Sequence, residues 1–427
     1  MLAIFIYFIL PMVLLVLGLP IYLNLLLTSL LAILFVADVS LTSIQTNLFG
    51  SLDSYPLMAI PFFVLAGEIM GRGGIARRVM VWVQSLTGDA RGSLAASTIV
   101  TSELFGAMSH TAVGTVAAVG RLAFPVLKEA GYKDRFSIGL IASSGAVAVV
   151  IPPSISLILY GMSAQQSAIA LFTAGIIPSL LIGLIGVIYV VAISGSNQAP
   201  SAQQMTFAKF WEATKDASWA LGTPVVIFGG IYGGVFSPTE AAGVAVLYSV
   251  FITIFIYREI DWRELWQVSL SSAFLVAQIL IIVSAAGVYA WLLTTSGIPQ
   301  QIVAYVNSLQ LSPWQILLVI NIGLLFIGSF LEPPAAIIIL TPLLLPIARA
   351  AGVDPIHFGI IMAVNLSIGM YMPPFGLNLF VSQAIFNLPL SMIYRGVVPF
   401  LILNFATLML ISYAPWFSLA LLGSGQR

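Results

Sequence analysis

The sequence predicts an all-α integral membrane protein with ten membrane crossings plus two re-entrant helical hairpins, arranged as two inverted-topology repeats. Three observations carry that reading. Of the 427 residues, 60% are hydrophobic and 7% charged, a balance that belongs to lipid-embedded chains and not to water-soluble domains. The segment 356–383 is long enough to span a bilayer, yet Gly369, the doublet Pro373-Pro374 and Gly376 interrupt its centre. Asn365, Ser367 and Asn378 lie at the same depth. In the first half, the segment 136–161 is interrupted in the same manner by Ser143, Ser144, Gly145, Pro152, Pro153, Ser154 and Ser156.

Two adjacent prolines delete two backbone donors and clash with the preceding turn, so a continuous helix is not expected at either doublet. Unpaired backbone groups in hydrocarbon are costly, so such a break survives only inside protein or beside a polar cavity.

In chain order, residues 2–37 hold two spans folded at Gly18, Leu19 and Pro20. A semi-polar connection leads to a third span, 55–71, which carries Glu68. An amphipathic piece, 75–86, puts Arg77 and Arg78 on its polar side. Residues 93–128 are apolar but broken near Gly106, Ser109, His110, Thr111 and Gly114. Each arm is too short to cross, which predicts a hairpin that enters and leaves on one side. The first broken span (136–161) and a fifth span (168–194) complete the first repeat, 1–195. It divides into scaffold spans 1–71 and a hairpin with broken span, 93–161. The N-terminal apolar run has neither a basic flank nor a small-residue cleavage site, so it is expected to remain as a span.

A polar linker, 196–216, placed on the cytoplasmic side, precedes the second repeat, 217–427. Two spans meet at Phe236, Ser237 and Pro238, and a third covers 269–294. An amphipathic piece at 298–309 is followed by a second broken hairpin at 313–349, the broken span 356–383 and a last span at 398–420. The scaffold spans are 218–294, and the hairpin with its broken span is 313–385.

The duplication is visible in the spacing of backbone-shaping residues. Pro125 and Pro346, Gly131 and Gly352, Pro152 and Pro373, Gly175 and Gly396, and Pro178 and Pro399 are all 221 apart. Five crossings and one hairpin per repeat is an odd count, so the copies are expected to be inverted. Arg72, Arg91, Lys128, Lys133 and Arg135 flank the first hairpin, whereas the second has only Arg349. The positive-inside rule then opens the first hairpin to the cytoplasm and the second to the opposite side. Lys209, Lys215, Arg258, Arg263 and Arg395 also fall in the cytoplasm, and both termini fall outside it.

Inverted repeats with paired hairpins and helices unwound at mid-depth are the pattern of secondary transporters. Half-helix N-termini offer free N–H groups and partial positive charge to an anionic solute; half-helix C-termini and unwound carbonyls offer oxygen to Na⁺. Pairing each hairpin tip with the broken span of its own repeat gives two candidate Na⁺ sets. The first is Gly106, Ser109, Ser143, Ser144 and Gly145; the second is Ser329, Glu332, Asn365, Ser367 and Gly369. In the plainer alternative, Ser and Gly only let helices pack closely. For solute contact the candidates are His110, Thr111, Ser154, Pro334, Phe375 and Asn378, beside the tips and breaks. Glu332 lies between two apolar arms, where a carboxylate is expensive; a cation neighbour, a protonation role and a structural hydrogen bond are all open. Glu103 in the first hairpin carries the same question, while Glu68 and Glu240 sit near span ends.

Other classes fare worse. Lys+Arg and Asp+Glu balance at 15 each, which argues against nucleic-acid binding. With no cysteine, disulfide, thiolate and cysteine-metal chemistry are absent. His110 and His357, the two histidines, fall in different repeats and make a poor transition-metal site. An intramembrane serine hydrolase would need His110 to reach Ser144, and no span carries an aspartate pair, so the chain is not expected to be an enzyme. A passive channel is the remaining alternative, distinguished by the absence of saturable counterflow.

Several short strings resemble the large membrane subunit (DctM type) of tripartite ATP-independent periplasmic (TRAP) transporters. They are Ser237-Pro-Thr-Glu-Ala-Ala-Gly243, Leu331-Glu-Pro-Pro-Ala-Ala336, Leu340-Thr-Pro-Leu-Leu-Leu-Pro346, Asp354-Pro-Ile-His-Phe-Gly359, Met372-Pro-Pro-Phe-Gly-Leu-Asn-Leu-Phe380, Ile151-Pro-Pro-Ser-Ile155 and Gly175-Ile-Ile-Pro178. The resemblance implies an elevator-type carrier of ion-transporter-superfamily architecture in a bacterial inner membrane, with periplasmic termini. It implies coupling to two or more Na⁺ ions, a small four-span partner subunit (DctQ type) and a periplasmic substrate-binding protein (DctP type) that delivers the solute. The solutes implied are organic acids such as C4-dicarboxylates, sialic acid and sugar acids, or zwitterions such as ectoine. A stand-alone Na⁺/dicarboxylate carrier of related architecture is the alternative within transport. The first hairpin tip, Ser109-His-Thr-Ala-Val-Gly114, departs from the Ser-Gly-Ser pattern of many members, so the family's tip contacts are not carried over.

Overall fold

Helix boundaries fall where proline, glycine or a short polar cap stops or starts the backbone ladder. The computed structural model describes residues 2–37, 39–88, 90–194 and 206–423, and every regular element among them is helical. The chain begins with α1 (Leu2–Val16) and α2 (Ile21–Phe35), then α3 (Thr42–Gly50) and α4 (Tyr55–Arg72), which are bent by 60° to each other. The connection read from sequence as semi-polar therefore contains a helix, α3. Its Thr46 and Asn47 side chains donate to backbone carbonyls one turn back, so their polarity is absorbed locally.

The amphipathic α5 (Ile75–Thr87) leads to a hairpin of α6 (Ser93–Ser109) and α7 (Ala112–Glu129), whose turn is only His110 and Thr111. Next come α8 (Asp134–Val150) and α9 (Ile155–Ala164), bent by 42° at the first proline doublet, and α10 (Ala168–Ile193). The second half runs α11 (Phe207–Tyr232), α12 (Pro238–Ile256), α13 (Trp262–Thr295) and α14 (Ile298–Ser308). Its hairpin is α15 (Pro313–Gly328) and α16 (Pro333–Ala350). The second broken span is α17 (Pro355–Gly369) and α18 (Leu377–Phe386), followed by α19 (Leu390–Tyr413) and α20 (Trp416–Leu419). Among the described residues, five helices are individually long and apolar enough to cross a membrane, or seven with each bent pair counted as one span. One of the five is α16, which the sequence reading treated as a hairpin arm.

Three boundaries correct the sequence reading. The linker 196–216 ends earlier, since α11 is helical from Phe207; its charged residues mark an exposed helix face and not a loop, and 196–205 lie outside the described residues. The span placed at 269–294 starts at Trp262, because Asp261 and Glu264 form a reciprocal capping box of 2.7 and 3.2 Å. The last span, placed at 398–420, runs from Leu390 to Tyr413 with Pro399 inside it, as Pro178 lies inside α10. An interior proline is tolerated in a helix of this kind when neighbouring helices cover the freed carbonyl.

The two halves pack on each other reciprocally. Helix α4 lies against α12, and α13 against α2; α9 lies against α16, and α18 against α7; α8 lies against α19, and α17 against α10. Matching the halves helix by helix in chain order converts each member of a pair into the other. Within each half the first hairpin arm is clasped to the broken span by one polar contact. Ser102 and Ser144 hydroxyls are 3.2 Å apart, and Asn365 Nδ2 donates to Asn321 O and Oδ1 at 2.9 Å. Just beyond the second clasp the backbones nearly touch, and a methyl group on Gly369 would lie 2.5 Å from the carbonyl carbon of Gly328.

At the periphery, α5 is tied down by Arg78. Its Nε lies 3.1 Å from Asp216, its Nη1 3.0 Å from Glu259, and its guanidinium 3.8 Å over the Tyr257 ring. The planar fork and stacked face suit arginine and would not suit lysine.

Substituting Gly369→Ala is expected to separate α15 from α17 and cost about 1–3 kcal/mol, seen as a lower thermal unfolding midpoint in detergent. Gly323→Ala, where nothing lies within 4 Å of the added methyl, should leave that midpoint nearly unchanged.

Candidate functional site

Both hairpin turns and both span breaks end in a helix start, and all four starts face one space. A cavity of about 670 Å³ is lined by Ala112 to Gly114 of α7, Ile155 and Ser156 of α9, Pro333 and Pro334 of α16, and Leu377 of α18. Tyr22, Glu68 and Gln278, from α2, α4 and α13, form the opposite wall. The volume lies within the roughly 300–1,000 Å³ of small-molecule sites.

None of these four helices has a side chain capping its first turn. Elsewhere Ser167, Ser237, Asp261 and Asp354 cap α10, α12, α13 and α17, while α2, α5, α6, α8, α11 and α19 also start without a side-chain cap; what sets the four starts apart is that they line one cavity. The uncapped starts leave N–H groups and the positive end of each helix dipole toward the cavity. α16 differs in kind, since Pro333 and Pro334 carry no N–H and that end acts mainly through its dipole. Among the described residues no lysine or arginine lines the cavity, while Glu68 and Glu332 do.

The first hairpin turn is pinned by His110. Its backbone is left-handed, with φ of 54°, and its ring meets Phe63 edge-on with centroids 4.3 Å apart. His110 Nδ1 lies 2.8 Å from Pro153 O; a carbonyl only accepts, so Nδ1 carries the proton and donates. In the neutral ring Nε2 then keeps a lone pair, and it has no hydrogen-bond partner among the described residues. The turn is thereby fixed to the first proline doublet. At the second hairpin, Ser329 donates to Phe326 O at 2.7 Å, Glu332 occupies the N-cap position of α16 without making a capping bond, and Phe330 stacks on Phe375 at 4.7 Å.

Of the predicted solute contacts, His110, Thr111, Pro334 and Phe375 line the cavity. Ser154 and Asn378 do not; they are buried, and Ser154 Oγ and Asn378 Oδ1 lack partners. Asn378 Nδ2 instead donates to Ala142 O, 3.3 Å away. In the second cation set Ser329 and Glu332 line the cavity, while Asn365, Ser367 and Gly369 are buried in α17, with Asn365 Oδ1 unpartnered. The first set is dispersed. Ser109 sits at the turn, bonded to Thr115 at 2.9 Å; Gly106 and Gly145 are packing contacts against Ala148 and Val116; Ser143 and Ser144 line a second, smaller space with Glu103. Ser144 is bonded to Leu140 and Ser102, and His110 to Pro153, so a serine–histidine pair is not assembled. Gln278 was missed by the sequence reading, although a lone amide in the apolar run of α13 is a signal of the same kind as Asn365. Glu68 was seen but placed at a span end; one turn after Val64 on α4, it lines the cavity.

A family model described as the DctM component of the tripartite ATP-independent periplasmic transporter matches residues 8–417. The chain is 40% identical over 395 residues to the C4-dicarboxylate TRAP transporter large permease protein DctM of Pseudomonas aeruginosa, covering 92% of each. It is 40% identical over 402 residues to the isethionate TRAP transporter permease protein DctMQ of Oleidesulfovibrio alaskensis, covering 94% of this chain and 63% of that one. Both relatives are named as transporter permeases, not as enzymes. Among solved structures, the Alcanivorax borkumensis YdaH transporter superposes with a TM-score of 0.62 at 14% identity, covering 89% of this chain and 88% of that one; this likeness is one of fold.

Replacing His110 by Ala removes the bond to Pro153 and the Phe63 contact together. Hydrogen–deuterium exchange at residues 111–114 should rise about tenfold or more, in line with a lost bond of about 1–3 kcal/mol to a buried carbonyl. Exchange in α13 should not change.

Proposed function

The chain belongs to the DctM component family of tripartite ATP-independent periplasmic transporters, and from that premise we propose that it imports a small carboxylate-bearing organic solute together with Na⁺. It is a transporter permease subunit and not an enzyme. The observation that carries the solute class is the set of four uncapped helix starts around one cavity. A carboxylate is the group that such ends hold without a cationic side chain. A C4-dicarboxylate or another organic acid fits this electrostatics, and so does a zwitterion whose cationic end meets Glu68 or Glu332.

Sodium coupling is supported by the same walls. Among the described residues, Glu332 and Glu68 face the cavity with no basic side chain beside them, and Asn365 Oδ1 is a buried acceptor without a donor. A small cation held by oxygen would relieve both. The second set, Ser329, Glu332, Asn365, Ser367 and Gly369, is the better-supported site; the first set is retained with Ser143 and Ser144 as its centre. At least two ions are proposed, as coupling ions bound and released with the solute.

The reciprocal packing of the halves supports a repeat, proposed as inverted, in which the hairpins and broken spans move as one body past the scaffold spans 1–71 and 218–294, the elevator form of alternating access. The basic side chains support an orientation. Arg78 reaches Asp216 and Glu259, and Arg135 Nη2 donates to Arg395 O at 2.8 Å, so residues assigned to the cytoplasm from sequence meet one another. The proposed setting is the bacterial inner membrane, with lipid around the spans and both termini periplasmic. The proposed partners are a small four-span subunit of DctQ type, which the name of the DctMQ relative points to, and a periplasmic binding protein of DctP type.

Reconstituting the chain with both partners into liposomes should give uptake of a radiolabelled C4-dicarboxylate or other small organic acid that requires an inward Na⁺ gradient and the binding protein. Uptake without the binding protein would mark a stand-alone Na⁺/dicarboxylate carrier, and non-saturable flux would mark a channel. Glu332→Gln and Asn365→Ala should each raise the half-saturating Na⁺ concentration about tenfold or more; unchanged Na⁺ affinity in both would remove the second set.

A further inference from the structure

Building on the proposed sodium coupling, we infer that Glu103 supplies the carboxylate of the first sodium site, the one centred on Ser143 and Ser144, which lies apart from the solute cavity between α6, α8, α10 and α19. Glu103 projects from α6 into a space of about 20 Å³, which Ser143 and Ser144 of α8, Gly183 and Gly186 of α10, and Asn404 of α19 also line. The space exists because α10 presents glycine there: a methyl group on Gly183 would overlap the Glu103 carboxylate. Among the described residues nothing donates a hydrogen bond to Glu103 and no basic side chain pairs with it, and no other ionisable group lines the space from any of the four helices. Tyr371 is the next ionisable side chain back, behind Asn404.

Most polar hydrogens on the walls are committed elsewhere. The hydroxyls of Ser143 and Ser144 donate to Leu140 O at 3.1 and 2.7 Å, and one of the two Asn404 Nδ2 hydrogens goes to Tyr371 Oη at 2.7 Å. The second makes no hydrogen bond to Glu103. The walls otherwise present oxygen: the Glu103 carboxylate, two serine Oγ lone pairs and Asn404 Oδ1. An unpaired carboxylate within apolar helices is strongly disfavoured, and an all-oxygen set holds a hard cation. One carboxylate with neutral oxygens balances a single positive charge, whereas a divalent ion would leave net charge buried. The space is just above the roughly 10–15 Å³ that a water-sized guest needs, which is room for one small cation. An ion there would join the first hairpin and first broken span to α19 of the second half, and so would couple ion occupancy to the packing of the two halves.

The test is ion binding, not uptake, so its failure is distinguishable from failure of the transport reading. Radioactive sodium bound at equilibrium to the full-length chain in lipid nanodiscs is counted at constant ionic strength, with choline as the replacement. Glu103→Gln should lower the count by about one ion per chain and leave the thermal midpoint in choline near that of the parent. Ser143→Ala, which removes one oxygen and no charge, should weaken the same ion about tenfold or more. In the double variant Glu103→Gln/Glu332→Gln the losses should add, since the two sites are separate. An unchanged sodium count in Glu103→Gln together with unchanged affinity in Ser143→Ala overturns the site. So does a sodium count indifferent to Glu103 when acidification stabilises the parent but not Glu103→Gln, because the guest is then a proton.

Discussion

Backbone polar groups have no solvent inside a bilayer, and the architecture depends on how four interruptions of the helical ladder meet that constraint. Each hairpin turn and each proline doublet frees N–H and C=O groups that an apolar surrounding would penalise. The fold gathers all four helix starts that follow these breaks around one cavity. None is capped by a side chain, so the positive dipole ends that elsewhere would be liabilities become the lining of a site. The uncapped starts and the cavity are one fact described from two sides.

The charge arrangement follows from the same constraint. Helix ends supply positive potential as fixed dipoles, so the cavity needs no lysine or arginine, and long flexible cations are kept to the periphery, where Arg78 is stacked and paired. Among the described residues the carboxylates of Glu68, Glu332 and Glu103 have no basic side chain beside them, and unpaired charge of that kind is costly in a low-dielectric setting.

The two halves share geometry but not chemistry. Gly369 against Gly328 and Gly106 against Ala148 are equivalent close approaches, while the clasps behind them are Asn365 with Asn321 in one half and Ser144 with Ser102 in the other. The amphipathic helices diverge further: α5 is anchored by Arg77 and Arg78 to Glu259 and Asp216, whereas α14 carries Gln300 and Gln301 at the matching positions. Both links are held by apolar packing, through Ile75, Val79 and Val83 in the first half and Ile298, Ile302 and Val306 in the second, and the first adds ion pairs to it.

The sequence by itself determined the helical class, the two hairpin turns and the two proline-doublet breaks, because prolines, glycines and long apolar runs act locally and leave their mark in spacing. It also placed His110, Thr111, Pro334 and Phe375 at the cavity, since a residue beside a helix start stays beside it however the helices pack. It misjudged 42–50 and 207–216, where a polar helix face resembles a loop, and 262–268 and 390–397, where a capping box extends a helix and an interior proline is tolerated. Only the tertiary structure decided which polar residues share a space. Ser143 and Ser144 turn away from the hairpin tip toward Glu103, Glu68 and Gln278 turn toward the solute cavity, and Ser154 and Asn378 stand behind it. Those outcomes depend on helix rotation and on gaps opened by small residues on other helices, such as Gly183 on α10, and residue spacing along one segment carries no record of what a distant helix presents to it.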